Sequence, residues 1–161
     1  MTNPVGSASC VLVIGVIAWA GLLSTASAQQ ARHCTAAGSL VPLAGLAEAS
    51  GLALSQRTAG RLWTPNDSGQ PVLFALDSRG AVTGQVRVTG AKVEDWESIE
   101  VGPCASGSCL YIGDIGDNDA SRTQITIYRV PEPERLGGTA AVSDALHATY
   151  PDGAHDAETL F

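Results

Sequence analysis

Aromatic side chains make up only 5% of the 161 residues, and cations are scarce, with 9 Lys and Arg against 16 Asp and Glu. Few aromatics beside 18 glycines suit a turn-rich β protein rather than a helical bundle. The scarcity of cations leaves a net charge of −7. Nucleic acids and anionic membranes are held by Lys and Arg neutralising phosphates, so neither is an expected partner. An acidic surface is compatible with divalent cations. No apolar run reaches the roughly 20 residues of a membrane-spanning helix. Neither a Gly-x-Ser-x-Gly nucleophile elbow nor a phosphate-binding Gly-x-x-x-x-Gly-Lys loop occurs. Helical patterning is equally thin, with Ala140–Ala148 the only weak candidate outside the leader.

The leader is the first positive feature. Val11–Leu23 is apolar and runs into Ser24-Thr25-Ala26-Ser27-Ala28, an Ala-x-Ala signal that predicts a signal peptide over 1–28. The segment before it, Met1–Cys10, has no Lys or Arg, which leaves an uncleaved anchor as the alternative. Residues 1–28 carry no charged side chain, so a mature secreted or periplasmic chain keeps the whole negative charge. Cysteine usage fits export. Cys104 and Cys109 bracket the small loop Ala105-Ser106-Gly107-Ser108, and in an oxidising compartment they are expected to form a disulfide closing a hairpin. Half a zinc site is the alternative, but no second Cys/His pair has suitable spacing. Cys34 is left without a partner in the mature chain.

After an N-terminal segment over 29–47, whose start Gln29–Gly38 reads as flexible, apolar runs are short and bounded by turn residues, the pattern of strands. A degenerate repeat with a period of about fifty residues organises them. Glu48-Ala49-Ser50-Gly51 leads into Leu62-Trp63-Thr64-Pro65-Asn66-Asp67-Ser68-Gly69. Asp95-Trp96-Glu97-Ser98 leads into Leu110-Tyr111-Ile112-Gly113-Asp114-Ile115-Gly116-Asp117-Asn118. His155-Asp156-Ala157-Glu158 opens a third unit. Leu73-Phe74-Ala75-Leu76 aligns with Ile127-Tyr128-Arg129-Val130, each before a turn. The expected fold is all-β: a partial β-propeller over 48–161 with a four-stranded antiparallel blade at about 48–90 and a second at about 94–150. The first strand of a third blade is expected at 154–161. Propellers close with about four to eight blades, so a truncated chain is expected, with oligomeric closure as the alternative.

The repeat places carboxylates at matching positions. Seven of the 16 acids fall between Glu94 and Asp119, and Ser50, Glu97 and Glu158 occupy the same place in successive units. Asn66, Asp67, Asp114, Asp117 and Asn118 belong to tips at one rim. Hard oxygen donors suit calcium, although Asp, Asn and Gly also make ordinary turns. A sharper calcium motif fails: Asp117, Asp119 and Ser121 have EF-hand spacing, but Arg122 stands where glycine is needed and Tyr128 where the bidentate Glu is needed. His155 with Asp156 and Glu158 is a weaker acid–base or ligand group, and Arg122 and Arg129 are the cations nearest to a phosphate clamp. Trp63, Trp96 and Tyr111 read as packing between blades.

These motifs, together with Tyr150-Pro151-Asp152-Gly153, resemble a group of secreted bacterial β-propeller proteins of mostly unknown function, distantly similar to calcium-dependent propeller phytases and phytase-like esterases. The resemblance covers about Ser50 to Phe161. It implies a metal site at Glu97, Asp114, Asn118, Asp156 and Glu158, and a chain continuing past Phe161. Ser98 departs from the pattern, since relatives often carry an acid there. The expected function is a secreted module binding calcium and a small ligand or partner at an acidic rim. A calcium-dependent phytase-like phosphoester or ester hydrolase is the alternative, and a structural or adhesive module is a third. No reaction can be read from the residues themselves.

Overall fold

The computed structural model describes Thr35 and residues 38–161, Ser106 excepted. The expected signal peptide and Cys34 lie outside the described residues. Gly38–Phe161 forms one compact unit.

Short runs of branched and aromatic residues separated by Asp- and Gly-containing turns give nine strands and no helix among the described residues. None of these residues therefore forms a helix long and apolar enough to cross a membrane. In chain order the strands are β1 (Ala53–Leu54), β2 (Leu62–Pro65), β3 (Val72–Leu76), β4 (Val82–Thr89), β5 (Trp96–Cys104), β6 (Gly107–Asp114), β7 (Ile125–Pro131), β8 (Thr139–Ala141) and β9 (Asp144–Ala148). One sheet has the order β1-β2-β3-β4-β8, the other β5-β6-β7-β9. Sequential antiparallel pairing accounts for every neighbour except two. Strand β9 pairs with β7 across the excursion that contains β8, and β8 leaves the second repeat to join β4 in parallel, Val88 opposite Ala140.

The expected all-β class and the strands of both units are present. Three readings need correction. The first sheet is five-stranded and mixed rather than a four-stranded antiparallel blade, because Thr139–Ala141 of the second unit adds to β4 in parallel. Ala140–Ala148 is not helical, because Thr139–Ala141 completes the edge of the first sheet and Asp144–Ala148 that of the second. His155–Phe161 forms no strand, since no neighbouring strand pairs with it among the described residues.

Alternation along the strands sets the core. Trp63, Leu73, Ala75, Val86 and Val88 of the first sheet meet Trp96, Ile99, Leu110, Ile112, Tyr128 and Val130 of the second, all buried. Full burial of a side chain of this size is worth about 1.5–3 kcal/mol, so this interface is the main source of stability. The two indole N–H groups are satisfied inside it. Trp96 Nε1 donates to the Lys92 carbonyl at 2.9 Å, and Trp63 Nε1 to Glu132 Oε1 at 3.1 Å.

Each end of the interface has its own fastening. At one end the Cys104–Cys109 disulfide closes the β5–β6 hairpin, Cα atoms 5.8 Å apart. Beside it Glu132, only 2% exposed, reaches from the end of β7 to both sheets. It accepts from Ser108 Oγ at 2.5 Å, from Ser55 Oγ, from Trp63 Nε1 and from the Gln56 amide. At the other end Trp96 N donates to the Asp67 carbonyl at 2.9 Å, carrying the chain from the tip of the first sheet into the second. Gly51 permits this approach: its φ is +75°, and a Cβ there would lie 2.8 Å from Ile99 N.

Candidate functional site

The Asp- and Asn-rich tips gather at the end of the strands opposite Glu132. The repeat controls what meets there. Asp67 N donates to the Glu48 carbonyl, and in the next unit Ile115 N donates to the Asp95 carbonyl. Trp96 N then donates to Asp67 O, and Ala157 N to Ile115 O. The same connection is thus made at successive steps, and it brings the matching positions Ser50, Glu97 and Glu158 side by side.

Ser50 Oγ lies 2.7 Å from Glu97 Oε2 and 2.9 Å from the Glu97 carbonyl oxygen. The Glu97 carboxyl is pushed up to about 7. Burial is the largest cause; the neighbouring Glu158, by charge and by hydrogen bond, and the charge of Asp95 push the same way, while Ser50 opposes them. Asp95 closes the group. A Cβ on Gly116 would sit 2.4 Å from Asp95 Oδ2 and 2.9 Å from Glu97 Cγ, so glycine is what lets the tip lie against both acids. Asn118 donates through Nδ2 to Asp95 Oδ2 at 3.3 Å. On the first tip, burial and then Glu48 raise the Asp67 carboxyl above the usual range. The Oδ1 atoms of Asn66 and Asp67 are buried and make no hydrogen bond.

The five residues expected as metal ligands therefore have different roles. Glu97 and Glu158 come together. Asn118 faces Asp95 rather than either glutamate. Asp114, 2% exposed, accepts from the Asp95 amide at 2.9 Å and from Arg122 Nη1 at 3.0 Å. Asp156 Oδ1 accepts from the Asp117 amide at 2.7 Å. Asp117 is itself occupied, its two oxygens capping the amides of Ser121 and Arg122. No three Asp, Glu, His or Cys side chains among the described residues already surround a common ion position.

Sequence reasoning passed over Asp95 as a site residue, although it stands in the repeat where Glu48 and Asp156 stand. The weaker groups are also placed. His155 faces Asp152 at 2.9 Å and packs edge-on against Tyr150. Arg122 is spent on Asp114, Glu94 and the Gly116 carbonyl, and Arg129 pairs with Asp144 at 3.0 Å. Trp63 and Trp96 are core residues, while Tyr111 lies on the far face of the second sheet with its hydroxyl donating to the Pro103 carbonyl. Chemically the rim offers closely spaced oxygen acceptors, with the nearest guanidinium already neutralised. Comparison with protein-family models and with curated proteins gave no match for this chain.

Proposed function

We propose that this chain is part of a secreted β-propeller whose acidic rim binds calcium and, through it, a small ligand or partner. The observation that supports the reading is the Glu97–Glu158 pair: two carboxyls brought together inside a partly buried tip, beside a third at Asp95, none of them in an ion pair among the described residues. Calcium takes six to eight oxygens from carboxylates, carbonyls and water, so the donor set is of the right kind. Glu97 and Glu158 would hold the ion, Asp95 would have to turn to join them because no three carboxylates among the described residues already share one position, and the unbonded Oδ1 atoms of Asn66 and Asp67 are further oxygen donors on the adjoining tip. When bound, calcium supplies charge neutralisation, and the chain's own part is to hold the carboxylates in place through Ser50 and Gly116.

The propeller reading is supported by the repeated tip-to-sheet connection and by the antiparallel meander of each unit. The hydrolase alternative has no comparable observation behind it: Arg122 and Arg129 are engaged with Asp114 and Asp144, so the charge of a phosphoester would have to be met by the metal itself. Calcium titration followed by calorimetry and by thermal unfolding tests the proposal. Saturable binding that raises the melting temperature, and is lost in Glu97→Gln and Glu158→Gln, is the expected result. An unchanged melting temperature at millimolar calcium, with no heat of binding, would sink it.

A further inference from the structure

Beside the acidic rim the second sheet encloses a separate cavity. It has a volume of about 310 Å³, at the small end of the range for ligand pockets. Its walls are the β6–β7 connection (residues 115–124) and the segment that follows β9 (residues 149–155). None of Glu97, Glu158 and Asp95 lines it. Both walls are held in place. Asp117, 5% exposed, caps the amides of Ser121 and Arg122 with its two oxygens, and its own amide donates to Asp156 Oδ1 at 2.7 Å. The Arg122 guanidinium is clamped by Asp114 Oδ1 at 3.0 Å and by the Gly116 carbonyl at 2.8 Å. Within this loop Ala120 is held at φ +48°, the only residue other than glycine with a positive φ among the described residues. A left-handed alanine persists only where its surroundings impose it, and such positions cluster at ligand sites. On the other wall Gly153 turns the chain at φ +117°, and His155 stands edge-on to Tyr150 with ring centroids 4.9 Å apart.

Charge on these walls is already matched. Arg122 faces Asp114 and Glu94, Asp117 faces two amides, and His155 faces Asp152. What is left unmatched is neutral. The hydroxyls of Ser121, Thr123, Thr149 and Tyr150 and the side-chain amide of Gln124 line the cavity, and none of them hydrogen-bonds to another described residue. Each of these groups both donates and accepts. The Tyr150 ring, with Ile125 and Ala154, adds apolar surface beside them. A charged ligand would find no unspent opposite charge here. A ligand that carries several hydroxyls on a carbon ring would meet both kinds of surface, and the fixed walls would spare it the cost of ordering them.

We propose that this cavity is a binding site for one unit of an uncharged saccharide, held by the side chains of Thr123, Gln124, Thr149 and Tyr150. The inference goes beyond the cation reading and does not rest on it. A chain that binds no calcium would still hold the sugar, and failure of the sugar site would leave the Glu97–Glu158 pair in place.

Amide NMR titration of the full chain tests the site. The probes are glucose, galactose, mannose, xylose and N-acetylglucosamine, with glucose 6-phosphate and glucosamine as charged counterparts. With at least one neutral sugar, saturable shifts centred on the amides of residues 117–125 and 149–155 are expected, at a Kd of about 10 mM or tighter. They should persist in EDTA, which separates this site from the cation site. Thr123→Val and Gln124→Ala change exposed side chains, and each should weaken binding about three- to tenfold. The same spectra show whether each variant is folded, and Tyr150→Phe tests the phenol without removing the ring. Four results would overturn the proposal: no saturable shift with any neutral sugar at about 100 mM; shifts centred elsewhere; tighter binding of the phosphate or the amine than of the parent sugar; or loss of the shifts in EDTA.

Discussion

Glu132 is a buried carboxylate held by neutral donors, and its replacement should be among the most damaging single changes away from the apolar core. Four donors converge on it: the hydroxyls of Ser55 and Ser108, the Trp63 indole and the Gln56 amide. Glu132→Ala removes their common acceptor. The two hydroxyls can turn elsewhere, but the Trp63 N–H is fixed in a residue with no exposure. Unmet buried donors cost about 1–3 kcal/mol each, so a loss of about 3–5 kcal/mol is expected. Glu132→Gln keeps the shape and two acceptor sites on its oxygen while losing the charge, and should cost about 1–2 kcal/mol. Set against a typical stability of about 5–15 kcal/mol, either change is readily measured by urea unfolding.

The pH dependence separates charge from shape. Burial would raise the Glu132 carboxyl, but its hydrogen bonds from Ser108, Ser55, Trp63 and Gln56 outweigh that and hold it below its ordinary value of 4.5. A depressed carboxyl contributes stability above the unfolded value and loses it as pH falls through the folded one. The gap between wild type and Glu132→Gln should therefore be level above about pH 5 and narrow toward about pH 3. Glu132→Ala within about 0.5 kcal/mol of wild type, or a gap that does not narrow in acid, would refute the reasoning.

At the other end the sign reverses. Glu97 is raised from 4.5 to about 7, so its contribution is fully present below 4.5 and is lost as pH rises through about 7. Without divalent cations, Glu97→Gln should be about 1–2 kcal/mol more stable than wild type near pH 8 in denaturant unfolding, and level with it near pH 4. Gly116→Ala must push a methyl against Asp95 and Glu97, and should lower stability by about 1–3 kcal/mol and weaken calcium binding by calorimetry. Replacing both Cys104 and Cys109 by Ser should cost about 2 kcal/mol, the entropy of a short closed loop, with no effect on the acid rim.

Strands were legible wherever alternation and turn residues agreed, as in Val72–Leu76 before Asp77-Ser78-Arg79-Gly80, where Asp77 Oδ1 accepts the Arg79 and Ala81 amides. The convergence of Ser50, Glu97 and Glu158 was legible because a repeat that stacks its units must bring equivalent positions together. What escaped the sequence depends on partners far away along the chain. Thr139–Ala141 has no strand pattern of its own and is a strand only because β4 offers an edge. Glu132, between Pro131 and Pro133, has the local signature of a solvent loop; its burial follows from Ser55 just past β1, Ser108 on β6 and Trp63 on β2. Asp114 resembled a rim ligand, and only the fold of the following loop turns Arg122 back onto it.

The two ends of the interface make the division between scaffold and site a matter of donors rather than acids. Burial raises the cost of charge at Glu132 and at Glu97 alike, and it is the largest influence on each. Around Glu132 the chain supplies hydroxyls, an indole and an amide, and the carboxyl ends below its ordinary value. Around Glu97 it supplies one serine hydroxyl, and then Glu158 and Asp95, and the carboxyl ends well above. A positive ligand would gain little at the first end, where negative charge is already satisfied. At the second it would meet carboxyls that the protein has brought together, none of them in an ion pair among the described residues. The same repeat that stacks the sheets places one more acid at that point with each unit after the first.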